Sequence, residues 1–300
     1  MNRRHFINRS AMIALSPAIS FLLNKSYGSS LVPLFEETDE ALCGKKFKFA
    51  LANRLEDKPI AEVIVGIGRS FIGTEYTEHP LEEAGPEHLV VNLRRLDCVT
   101  FYENSLAIAR CIKMKKTTYN DYKAQLQLIR YRSGVINGYP SRLHYTTDYW
   151  FDDEERGILK VVTKELFGEK NIQRIPTPIN FMSAHRGLYK QLADDNTFAA
   201  IKTCEEELSK REMFFLPKGN LHMYADSIKS GSLIGITTNV AGLDISHTGI
   251  AVRMDDGSLH LMHAPDVGEN VQVTKATLQD YLARNPRQTG IIVAEALEPK

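Results

Sequence analysis

The hydrophobic period changes about two-thirds of the way along the chain, and that change limits the fold more than any other feature. From Phe47 to about Phe215 apolar residues recur at helical spacing, in segments 61–67, 119–131, 155–167 and 184–210 and in a segment opening at Cys98. Beyond them the pattern is that of strands. Leu233-Ile234-Gly235-Ile236 comes first, then two runs around His247 and His260, a helical stretch at 276–284 and a last strand at 290–297. Helices followed by an antiparallel sheet predict an α+β fold. No internal repeat, low-complexity segment or long linker divides the chain. Residues 30–300 are therefore expected to form a single domain, with 30–230 mainly helical and 231–300 β-rich.

Within the helical part, Leu96-Asp97-Cys98 runs straight into Val99-Thr100-Phe101-Tyr102-Glu103. Asp97 is a good N-cap, which puts Cys98 at the first helical position. A thiol there feels the positive end of the helix dipole, which favours the thiolate and lowers a pKa that is about 8.5 in a free cysteine. The competing reading of a lone cysteine is a buried structural thiol.

Two histidines near the other end of the chain favour the first reading. Ser246-His247-Thr248-Gly249-Ile250-Ala251-Val252-Arg253 and Leu259-His260-Leu261-Met262-His263-Ala264 read as paired strands, with Asp255-Asp256-Gly257 as a three-residue hairpin loop. That loop pairs Met254 with Ser258, sets His263 opposite Gly249, and puts His247 and His263 on one face. His260, opposite Val252, turns to the other face as a structural histidine. A two-residue Asp-Gly loop would separate the pair. Gly249 and Ala251 share the face of His247, and their small side chains are expected to make room for the Cys98 helix. Cysteine, histidine and a polar third group form the arrangement in which an imidazole takes the thiol proton while the third residue holds its tautomer. Zinc fits less well, because two histidines sixteen positions apart and a distant cysteine match no usual ligand spacing. No metal and no cofactor are expected.

A formal charge of zero argues against a nucleic-acid surface. After the N-terminal region nothing is long and apolar enough to span a bilayer, and the mature chain is expected to be monomeric. Residues 1–29 read as an export leader. Asn2-Arg3-Arg4-His5-Phe6-Ile7-Asn8-Arg9 is basic, an apolar stretch covers 11–23, and the adjacent arginines resemble a twin-arginine signal. The expected location is therefore periplasmic. Cys43, Cys98, Cys111 and Cys204 show no disulfide framework spacing, and with Cys98 free at most one bridge remains.

A segment from Ile129-Arg130-Tyr131-Arg132-Ser133-Gly134 to Ser141-Arg142-Leu143-His144-Tyr145 gathers Arg, His and Tyr in what reads as a long loop, where function often resides. Its arginines suit bidentate binding of a substrate carboxylate, or pairing with surface acids. Trp150 and Tyr149 fit either a sugar-stacking role or core packing. Ile175-Pro176-Thr177-Pro178 reads as a rigid connector.

Phe71-Ile72-Gly73-Thr74-Glu75-Tyr76, Leu96-Asp97-Cys98, Ser246-His247-Thr248-Gly249-Ile250 and Met262-His263-Ala264, in that order, resemble the papain-like NlpC-type cell-wall hydrolases. Leu96-Asp97-Cys98-Val99-Thr100-Phe101, Arg142-Leu143-His144-Tyr145 and Gly242-Leu243-Asp244-Ile245-Ser246-His247 resemble their N-acetylmuramoyl-L-alanine amidase-like branch. The resemblance implies a papain-like core, with the nucleophile helix packed on a C-terminal antiparallel sheet or barrel. The implied substrate is a peptidoglycan fragment, cut between N-acetylmuramic acid and L-alanine. Cys98 would attack the carbonyl, His247 would act as base and His263 would orient it; Tyr76, Arg142 and His144 would bind substrate. Glu75 stands where relatives usually have proline, and Ser230-Gly231-Ser232 replaces a common Gly-Asp. An endopeptidase cutting after γ-D-glutamate with the same three residues stays open, as does a non-catalytic cell-wall-binding module.

Overall fold

The structure is a computed structural model that describes residues 37–300, so the expected leader lies outside the described residues. The first half supplies helices α1 (Asp39–Ala52), α2 (Ile60–Ser70), α3 (Cys98–Lys113), α4 (Tyr119–Arg130) and α5 (Thr146–Glu155). Later helices are α6 (Thr163–Phe167), α7 (Phe181–Ala184), α8 (Asp195–Lys210), α9 (Leu221–Tyr224) and α10 (Leu278–Ala283). Strands β1 (Glu75–Tyr76) and β2 (Arg95–Leu96) form a small parallel pair. The remaining strands are β3 (Leu159–Val161), β4 (Gln173–Arg174), β5 (Phe214–Pro217), β6 (Leu233–Thr238), β7 (Ile245–Arg253), β8 (Leu259–His263), β9 (Gln272–Val273) and β10 (Gln288–Ala296). They make one antiparallel sheet in the order β4-β5-β10-β6-β7-β8-β9, with β3 added to β10.

α3 is the centre of the molecule. Nearly every residue from Cys98 to Ile112 is buried, so the helix is covered all round, by α1, α2 and α4 and by the sheet. α2 shows the one-sided pattern of a packing helix, with Ile60, Val63, Ile64 and Ile67 inside. Gly68 lets it press close to the sheet, since a Cβ there would come within 2.4 Å of Met262 Cε. A second apolar cluster lies across the sheet, where Leu278 and Leu282 of α10 meet Ala251, Leu259 and Leu261.

The hairpin register is the expected one. Ile250 pairs with Met262 and Val252 with His260, Met254 N donates to Ser258 O at 3.0 Å, and Gly257 takes the left-handed conformation at φ 83°. The expected approach of the Cys98 helix is corrected. α3 meets the other face of β7, where Thr248 Oγ1 donates to Cys98 O at 2.8 Å and Ile250 and Val252 join the main core. Gly249 is instead closed over by Leu261 and Ala251 packs toward α10; the glycine that lets a helix lie close to the sheet is Gly68, on α2.

Three boundaries also differ from expectation. The stretch 155–167 breaks at Gly157, at φ 64°, because Leu159 to Val161 pairs with β10 and only Thr163–Phe167 is helical. The helix expected from 184 begins at Asp195, where the Asp194 carboxylate caps Thr197 N at 2.7 Å; single turns precede it. The sheet also recruits β3, β4 and β5 from the part expected to be helical. All four cysteines carry free thiols, and burial pushes those of Cys43 and Cys111 up to about 12.

Candidate active site

Asp97 starts α3 as its sequence suggests. Its Oδ1 accepts from Thr100 N at 2.8 Å while Thr100 Oγ1 accepts from Asp97 N at 2.9 Å, a reciprocal cap that fixes Cys98 at the first helical position. The Cys98 side chain is only 1 % exposed, so what reaches it must come through the cleft it lines, a cavity of about 160 Å³. One wall of that cleft is residues 78–82; another carries Tyr139, Arg142, His144 and Tyr149; the floor includes four consecutive residues of β7, from Ile245 to Thr248. Four consecutive lining residues follow from a bulge. Ile236 pairs with His247 and Thr237 with Ile245, leaving Ser246 as the extra residue that turns the strand end toward the cleft.

His247 therefore shares the cleft with Cys98. Its Nε2 lies 2.6 Å from Nδ1 of His263, with the rings at 86°. Burial pushes the His263 imidazole down to about 4, so at neutral pH that ring is uncharged. A neutral His263 is able to accept at Nδ1 from a proton on His247 Nε2, the tautomer that leaves His247 Nδ1 as an acceptor. His260 is structural as expected, its Nδ1 donating to Thr274 O at 2.7 Å.

Arg142 and His144, expected to bind substrate, line the cleft but are bonded within its wall. Arg142 donates to Leu81 O at 2.8 Å and to Glu82 at 2.5 Å, and lies over the Tyr139 ring. His144 Nε2 donates to Tyr139 O at 3.0 Å. Tyr76 is buried in the main core and registered against Leu96, two residues before Cys98. The expected substrate loop is largely structural: Arg130 pairs with buried Glu103 at 2.9 Å and Arg132 with Asp148 at 2.6 Å. Trp150 is fully buried, which settles it as core.

Three contributors had no functional reading in the sequence. Asp244, fully buried, accepts from Thr147 N at 2.8 Å and Thr147 Oγ1 at 2.9 Å, fastening the start of β7 to the positive end of α5. Its place three residues before His247 was the available signal. The 78–82 wall is held by Arg142 and by Gln191, which donates to Glu82 at 2.6 Å. Tyr281 packs beside both histidines. Among the described residues no cluster of three His, Cys, Asp or Glu has the geometry to hold a metal ion.

The fold has solved counterparts. An N-acetylmuramoyl-L-alanine amidase from Bacteroides uniformis ATCC 8492 matches with a TM-score of 0.73 and 38% identity, over 79% of this chain and 98% of that one. A Bacteroides fragilis protein provisionally named a xylanase matches with a TM-score of 0.70 and 38% identity, over 76% and 98%. A Legionella pneumophila protein, 22% identical with a TM-score of 0.64 over 85% and 95%, shares the fold. No curated protein matches. Fold and neighbours thus place the chain among mixed α/β proteins with amidase-like counterparts. Residues 66–291 match the AmiA-like family, described as N-acetylmuramoyl-L-alanine amidase-like, and the chain belongs to that family.

Proposed function

We propose that this chain is a cysteine amidase of the papain-like NlpC type, hydrolysing the amide between the lactyl group of N-acetylmuramic acid and L-alanine in peptidoglycan fragments. The observation that carries the reading is the placement of Cys98, at the positive end of α3, in one cleft with a histidine already bonded through Nε2 to His263. With Nε2 engaged, Nδ1 of His247 is the nitrogen that takes the Cys98 proton. The thiolate sulfur adds to the lactyl carbonyl carbon, and the Cys98 backbone N–H, in the first turn where helices supply no acceptor, steadies the oxyanion. As the C–N bond breaks, His247 returns the proton to the alanine nitrogen. Water, deprotonated by the same imidazole, then opens the thioester and restores the thiol. Family membership and the Bacteroides uniformis amidase support the choice of bond. The basic and then apolar residues 1–29 support export and action in the periplasm.

Glycosidic cleavage, as the Bacteroides fragilis name suggests for that protein, fits this cleft poorly. It calls for two carboxylates facing the bond, whereas two of the three that line this cleft, Glu78, Glu82 and Asp97, are already engaged, Asp97 in the helix cap and Glu82 with Arg142 and Gln191. Digestion of a defined disaccharide-tetrapeptide, with products weighed by mass spectrometry, tests the proposal. Free disaccharide with an intact tetrapeptide is expected. A shortened stem still joined to sugar would move the cut to γ-D-glutamate, and an untouched substrate would remove the enzymatic reading.

A further inference from the structure

We infer that Tyr281 is a positioning residue: its ring closes off the side of His263 away from the cleft and holds that imidazole dry and correctly turned, so that it accepts from His247. The inference rests on the proposed roles of the two histidines. The cleft reaches Cys98 and His247, but neither His263 nor Tyr281 is among its lining residues. On that far side the Tyr281 ring stands 5.2 Å from His263 at 83°, an edge-to-face contact, and 6.4 Å from His247 at 39°. With the two imidazoles 4.9 Å apart, the three rings form a closed triangle.

Tyr281 has little freedom to leave this position. It lies on α10 between Leu278 and Leu282, both fully buried in the second apolar cluster. Tyr281 itself is partly buried; burial, and then the charge of Cys98, push its phenol up to about 12, and a hydrogen bond with Gln288 opposes the shift. The titratable groups against His263 are His247 on β7 and Tyr281 on α10, and the charge of Cys98 on α3 is felt at the Tyr281 hydroxyl. Asp266 and Glu269, from the segment before β9, add their fields at the Tyr281 hydroxyl, and the β9 residue opposite His263 is the uncharged Gln272. Among the described residues the hydrogen-bond partner of His263 is His247 rather than a carboxylate, and its imidazole is lowered by burial, to which the Tyr281 ring beside it contributes.

The experiment follows the histidine carbon resonances of the full chain against pH by NMR, with His263 assigned from the signal lost in His263→Asn. In the parent protein His263 is expected to titrate near 4. Tyr281→Leu is expected to raise that midpoint by about one pH unit or more toward the free value of about 6.5, and to move the acid limb of kcat/KM the same way. Tyr281→Phe, which keeps the ring, should leave both in place. Tyr281→Met, unbranched and more adaptable in packing, serves if the leucine variant does not fold. An unchanged His263 midpoint in a folded leucine or methionine variant overturns the inference, and so does a phenylalanine variant that shifts as far as leucine. The NMR midpoint needs no substrate, so its failure is distinct from a failure to cleave muropeptides.

Discussion

His263 makes a quantitative prediction about acid stability. It is 2 % exposed and its imidazole is pushed down to about 4 by burial, against about 6.5 in an unfolded chain. Above pH 6.5 both states hold it neutral and it contributes nothing to pH dependence. Between 6.5 and 4 the unfolded chain binds a proton that the folded protein refuses, so stability falls as pH falls, by about 1.4 kcal/mol per unit. Below 4 the loss levels off at about 3 kcal/mol. The assay is urea unfolding of the protein and of His263→Asn at pH 7, 5.5 and 4.5. Asparagine offers an oxygen to the His247 N–H but does not titrate. Other acid-sensitive groups, such as buried Glu103 and Asp153, whose carboxyls burial pushes up, act alike in both proteins and cancel in the difference. The variant should therefore gain on its parent as pH falls, by about 2 kcal/mol between pH 7 and 4.5. Two stability curves that run parallel from pH 7 to 4.5 would refute the reasoning.

Cys98→Ala should abolish amide hydrolysis and leave the melting temperature nearly unchanged, and an alkylating reagent should inactivate the protein at Cys98 before Cys43 or Cys111, whose thiols burial holds near 12; peptide mapping checks the order. Arg130→Met leaves Glu103 without its partner at a fully buried site and should cost about 3–5 kcal/mol in urea unfolding, with much of the loss recovered when Glu103→Leu is added. Gly231→Ala should lower stability by about 2 kcal/mol or more, because the residue sits at φ 92° with Ala61 O only 2.4 Å from the new Cβ; an unchanged melting temperature would show that the turn can relax.

What could be read in the sequence was what neighbouring residues decide. Asp97 followed by Thr100 is a complete capping instruction, so the start of α3 and the place of Cys98 were legible. Asp255-Asp256-Gly257 fixes an odd loop, and an odd loop alone determines that His247 and His263 share a face and His260 does not. The face of β7 that receives α3 was not legible, because alternation says which residues go together but not which neighbour covers them. Gly249 and Ala251 offer the smaller side, yet Leu261 closes over Gly249 and α3 takes the face of Thr248.

Arg142 shows the same limit at the cleft. Its partner Glu82 is sixty residues away in sequence, and nothing local distinguishes an arginine waiting for a substrate carboxylate from one already holding a wall. The 78–82 segment contains little apolar sequence, so a hydrophobic pattern gives it no position. It acquires one from polar bonds with residues far along the chain, among them Arg142 at Leu81 and Glu82 and Gln191 at Glu82. The proposed catalytic pair is thus specified by short-range signals, while the shape of the cleft depends on bonds that exist only once the helical half has assembled. Relatives with the same Cys98 and His247 signals can for this reason differ in what the cleft admits, and changes at Glu82 or Gln191 should alter substrate choice before they alter the chemistry at sulfur.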